Sequence, residues 1–139
     1  MDRNQNEDDP MNSIERLDRI MKNNLGYYNA PLKKEFHTAG RAVCRKIAQA
    51  LGLEKGTYDI RSNQGGIAVS GEITLHSERL YLQISESVTS KKDHEIMFRH
   101  CSGRKDYTGG RNHWASTEEL LTNFDETIRK FRLVSQEVS

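Results

Sequence analysis

Hydrophobic positions recur along the chain at a helical period, then at a period of two, then at a helical period again. Ile14, Leu17 and Met21, with Ile20 beside them, follow helical spacing, and Asn12 with Glu15 three residues later has the form of a capping box. This predicts a short first helix ending near Asn24 to Gly26. Asn29 as cap and Pro31 in the first turn, where its missing amide hydrogen is harmless, open a second helix. Its apolar stripe is Leu32, Phe36, Ala39, Val43, Ile47 and Leu51, and Gly52 followed by Leu53 suits a left-handed stop.

From Thr57 the alternation predicts four strands in a meander. Tyr58 and Ile60 mark the first; Asn63 to Gly66 form a hairpin turn; Ile67, Val69, Ile73 and Leu75 line the second, with a bulge at Gly71. Leu80, Leu82 and Ile84 line the third after a tight turn at Ser77 and Glu78, and Ile96 and Phe98 line the fourth after the polar stretch Ser87 to Asp93. If Ile67, Val69, Leu80, Leu82, Ile96 and Phe98 face the core, then Ser70, Glu72, Thr74, Tyr81, Gln83, Met97, Arg99 and Cys101 face away from it. A last helix starts at the capping box Ser116-Thr117-Glu118-Glu119. It carries Leu121, Phe124, Ile128 and Phe131, widened by Leu120 and Val134, and runs to about Val134.

These elements predict an α+β fold: two amino-terminal helices, a four-stranded, mostly antiparallel sheet and one carboxy-terminal helix, with the helices on one sheet face. Residues 1–10 are polar and acidic and read as a disordered tail ahead of a single domain spanning 11–139. With 35% hydrophobic and 29% charged residues, the core must be lean and the surface heavily hydrated. A net charge of +1 excludes a globally basic nucleic-acid binder but hides local asymmetry. Cys44 and Cys101 stand apart in different elements, which suits a reduced, cytoplasmic protein; no apolar run suits a signal sequence or a membrane span.

The local asymmetry is greatest from Arg99 to Trp114. The segment holds four basic residues, two histidines, a cysteine, two aromatics and three glycines between an expected strand and an expected helix. Zinc is disfavoured because adjacent His100 and Cys101 on a strand point to opposite faces and no short-spaced ligand pair exists. A nucleophile at Cys101 has no supporting motif, and Gly109-Gly110-Arg111 lacks the lysine and helix start of a phosphate loop. No catalytic residue, metal or cofactor is therefore assigned.

The glycines instead allow a tight loop that projects Arg99, Arg104, Lys105, Tyr107, Arg111, Asn112, His113 and Trp114 together, equipment for gripping an acidic macromolecule. That partner is a nucleic acid or an acidic protein surface. The competing reading is a structural connector, with Asp106 paired to Arg104 or Arg111 and Trp114 anchoring the loop beneath the last helix. A secondary basic face runs along the second helix through Lys34, His37, Arg41 and Arg45, flanked by Lys33 and Lys46. Two further alternatives stay open: a nucleotide pocket, sequestering or enzymatic, built from Tyr107, Arg111 and His113, and a structural or virion-associated homo-oligomer.

The tract from Cys101 to His113 resembles small uncharacterised proteins of bacteriophages and related mobile elements. The resemblance implies a setting: an accessory protein, acting in the host cytoplasm, that binds a host component such as one of antiviral defence. It carries no functional residue with it.

Overall fold

The computed structural model describes residues 10–22, 30–65, 71–85 and 94–137. Helix α1 spans Pro10–Lys22 and buries Ile14, Leu17 and Ile20 along one stripe. The expected cap at Asn12 does not start it, because the helix already begins at Pro10, a residue suited to the first turn. Helix α2 spans Ala30–Ala50, and Phe36, Ala39, Val43 and Ile47 of its predicted stripe are fully buried. Leu32 and Leu51 at its ends are only partly so. Beyond it, Gly52 adopts a φ of 75° while the Leu53 amide donates to the Ala48 carbonyl at 3.0 Å, satisfying an orphan carbonyl as a left-handed cap does. Gly40 lets α2 close on the sheet, since a Cβ there would stand 2.6 Å from Ile73 Cδ1.

The sheet has five strands where four were expected: β1 (Tyr58–Asn63), β2 (Glu72–Ser77), β3 (Leu80–Ser85), β4 (Ile96–His100) and β5 (His113–Ala115). They pair in sequence order, every neighbour antiparallel, which is the predicted meander extended by one edge strand. Asn63 Oδ1 accepts the Gly65 amide at 3.1 Å at the start of the β1–β2 turn. The Ser77 hydroxyl closes the β2–β3 turn by accepting the Leu80 amide at 3.1 Å. Gly71, at φ 81°, stands just before β2 instead of interrupting it, and packs so tightly against Asn63 that no side chain fits. Ile67, Val69, Ser70, the Asn29 cap and the stretch Ser87 to Asp93 lie outside the described residues, as do the first nine residues of the acidic tail.

The final helix divides in two, α3 (Thr117–Thr122) and α4 (Phe124–Ser135). The predicted capping box is present: Ser116 Oγ accepts the Glu119 amide at 2.9 Å and Glu119 Oε1 accepts the Ser116 amide at 3.0 Å. The break falls at Asn123, whose backbone (φ −135°, ψ 57°) leaves helical space, as asparagine does more readily than most residues. Thr127 Oγ1 bridges the break by donating to the Asn123 and Glu119 carbonyls. The reorientation lets both Leu120 and Phe131 reach full burial, Phe131 edge-on to Phe98 at 4.7 Å.

All the helices contribute to one core, against Ile73, Leu75, Leu80, Leu82, Ile84, Ile96, Phe98 and Ala115 of the sheet. The opposite face has a small cluster of its own, Tyr81, Met97 and Cys101, with no helical residue in it. No helix among the described residues is long and apolar enough to cross a membrane.

Candidate functional site

Antiparallel register fixes what the outer face presents. One row runs across all five strands through Arg61, Thr74, Gln83, Met97 and Trp114, and a second runs through Asp59, His76, Tyr81 and Arg99. The loop from Cys101 to Asn112 folds back over the second row. Asp106 organises it: its carboxylate accepts the Ser102 amide at 2.9 Å, Thr108 at 3.1 Å and Gly109 at 3.0 Å. These amides, Ser102 foremost, hold the Asp106 carboxyl below its ordinary pKa. Gly110, at φ 87°, presses against the His100 backbone, where a side chain has no room.

Two basic residues of the loop segment serve the fold. Arg104 forks onto Asp59 of β1, with Nε to Oδ2 at 3.2 Å and Nη2 to Oδ1 at 2.8 Å, and donates to the Gly56 carbonyl at 2.8 Å. Arg104 thus depresses the Asp59 carboxyl pKa; the expected pairing with Asp106 is replaced because that carboxylate is already occupied by backbone amides. Arg99 lies 4.7 Å over the Tyr81 ring and donates to the Tyr107 carbonyl. His76 Nε2 donates to the Gly103 carbonyl at 3.0 Å, and burial pushes its pKa down. The His76 and Tyr107 rings meet edge to face at 5.0 Å, as do His76 and Tyr81. Tyr107 is therefore held over the sheet by its ring and its carbonyl.

Other parts of the segment remain open to solvent. Tyr107 is 50% exposed and Trp114 44%, while Lys105, Arg111 and Asn112 are exposed, as is Arg61 on β1. Trp114 does not anchor the loop under the last helix. Strand alternation turns it outward beside Met97, where its ring stacks on His94 at 4.7 Å and 11°. Tyr107 sits over β2 and β3, two strands across and two residues along from Trp114, a separation on the order of 12 Å. His113 points the other way, stacking on Phe98 at 5.5 Å, its Nε2 lying 3.3 Å from a Glu137 carboxylate oxygen. It is thereby separated from the other residues of the predicted loop.

The secondary basic face is also redistributed. Lys34 and Arg45 are exposed, but His37 is buried and bonds Ser62 Oγ through Nδ1 at 2.6 Å, while Arg41 donates to the same oxygen at 3.1 Å. Ser62 belongs to the core-facing side of β1 and Arg61 to the outer side, so the α2 cations and the Tyr107 loop occupy opposite sides of the sheet.

Both cysteines are buried thiols. Cys101 Sγ donates to the Ser77 carbonyl at 3.2 Å, burial raising its pKa, and burial pushes the Cys44 thiol to about 12. Among the described residues no three His, Cys, Asp or Glu side chains converge as metal ligands. Sequence reasoning missed the contributions of Arg61 and of His94 as a stacking partner; the outward parity of Trp114 becomes readable only once β5 is known to pair with β4. No protein-family model, curated protein or solved structure matches the chain, so the geometry alone carries the functional reading.

Proposed function

We propose that the chain is a non-enzymatic binding protein that holds single-stranded nucleic acid on the outer face of its sheet. The observation that carries this reading is the pair of exposed rings, Tyr107 and Trp114, standing on one antiparallel face that no helix among the described residues covers. Unpaired bases offer π-faces that stack on such rings without sequence preference, at about 1–3 kcal/mol per base. Arg61, Lys105 and Arg111 are exposed nearby to meet the phosphates, and Arg99, half-buried under Tyr107, adds positive potential beneath the face. Of the acids on this face, Asp59 is engaged by Arg104 and Asp106 by backbone amides, and Glu72, at the β1–β2 end, accepts from the Asn63 side-chain amide. In a phage setting the protein acts on nucleic acid directly, without an acidic protein as intermediary.

Anisotropy of a labelled single-stranded oligonucleotide tests the proposal. Trp114→Ala and Tyr107→Ala are each expected to weaken binding roughly 5- to 150-fold, and Tyr107→Phe, which keeps the ring, to retain it. Log affinity is expected to fall linearly with log salt, less steeply once Arg61 and Arg111 are both alanine. Binding indifferent to both rings, or binding only to an acidic protein, contradicts the assignment.

A further inference from the structure

A cleft of about 460 Å³ runs along the first three turns of α2 beside the β1–β2 turn, lined chiefly by Lys33, Lys34, His37, Thr38, Arg41 and Gln64. No carboxylate is among the described residues that line it, and its one ring is the buried His37 imidazole. Ser62 of β1 organises the floor. Ser62 Oγ accepts from Arg41 Nη1 at 3.1 Å and from Gln64 Nε2 at 3.3 Å, and lies 2.6 Å from His37 Nδ1. With both its lone pairs engaged, the Ser62 hydroxyl directs its proton to Nδ1, which assigns the imidazole proton to Nε2. Arg41 uses one guanidinium nitrogen on Ser62; its other two have no partner among the described residues.

We propose that this cleft binds the phosphate chain of a small polyphosphorylated ligand. Three observations select that chemistry. Lys34 and Arg41, with Lys33 beside them, converge on one concave site, and no carboxylate is among the described residues that line it, so the described lining favours an anion. The lining from residue 30 to residue 41 extends roughly 16 Å along the helix, longer than one phosphate group. Its volume lies in the range of small-molecule sites, and among the described residues that line it the one ring is the buried His37 imidazole, so the groups these residues offer a ligand are chiefly cationic and suit phosphates. Because α2 covers the core side of β1 and β2, the cleft lies across the sheet from Tyr107 and Trp114. The inference does not depend on the nucleic-acid reading.

Calorimetric titration of the full chain with inorganic tripolyphosphate is the test. Saturable binding is expected, weakened at least about 10-fold by Thr38→Glu, which puts a carboxylate into the cleft at an exposed helical position. Lys34→Gln, also at an exposed position, is expected to weaken it several-fold, and serves if the first variant does not fold. Trp114→Ala and a saturating oligonucleotide are expected to leave it unchanged. Absence of binding, or binding insensitive to both cleft variants, overturns the proposal. So does binding lost with Trp114→Ala or displaced by the oligonucleotide, which assigns the phosphates to the sheet face instead.

Discussion

His76 shows how one side chain couples the sheet to the loop. Its ring supports Tyr107 and Tyr81, and its Nε2–H holds the Gly103 carbonyl. Burial lowers its pKa from 6.5 despite the opposing pull of the Gly103 bond, Asp106 and Asp59, with Arg61 adding to the lowering. A base whose folded pKa lies below its unfolded value binds more protons when unfolded. Its stabilising effect is thus complete above pH 6.5 and is lost as pH falls toward the folded value. The thermal midpoint of the wild type is expected to drop below pH 6.5 more steeply than that of His76→Gln; parallel profiles contradict this role. None of this was legible beforehand. His76 carries no motif, and its importance arises from Gly103, twenty-seven residues away. Arg104 likewise reads as a free cation in sequence, because nothing local announces its pairing with Asp59 across forty-five residues.

At the scale of elements, local chemistry was readable wherever it was self-contained. The Ser116–Glu119 box uses only residues three apart, and Gly52 ends α2 through contacts within one turn. Ser116→Ala is expected to cost about 1 kcal/mol, measured by denaturant unfolding, with the loss confined to stability and oligonucleotide affinity unchanged. The elements that escaped notice depend on partners. Strand β5 is three residues long, too short to show alternation, and exists because Ile96, Met97 and Phe98 offer it a register. The break at Asn123 is hidden because Leu121, Phe124, Ile128 and Phe131 keep helical spacing across it. Of the glycine-rich segment, Cys101 to Asn112 is loop, while Arg99 and His100 belong to β4 and His113 and Trp114 to β5. Its charges divide between bracing the fold and facing solvent, a division set by tertiary contacts.

Across the whole molecule, stability and the proposed function sit on opposite sides of one sheet. The core side holds all the helical packing, and its largest side chains, Phe36 and Phe131 among them, are fully buried. Phe131→Ala is expected to cost about 3–5 kcal/mol, a large share of the 5–15 kcal/mol typical of a domain. Trp114→Ala, which gives up a stacked pair on an open face, is expected to cost about 1 kcal/mol in the same unfolding assay. Comparable losses at the two positions contradict this separation. The α+β class and the meander were legible because period and order specify them; the outer face as a platform was legible only in part, through Tyr81, Gln83 and Arg99.

Trp114, the chain's only tryptophan, stands on the outer face where bases are proposed to stack and reports on that face directly. Its fluorescence should be measured as single-stranded oligonucleotide is added at low salt. Saturable quenching that reverses as salt is raised is expected, with a smaller response to duplex of the same sequence, whose bases are already stacked. Tryptophan emission unchanged by single strands, while the protein remains folded, contradicts stacking on that face.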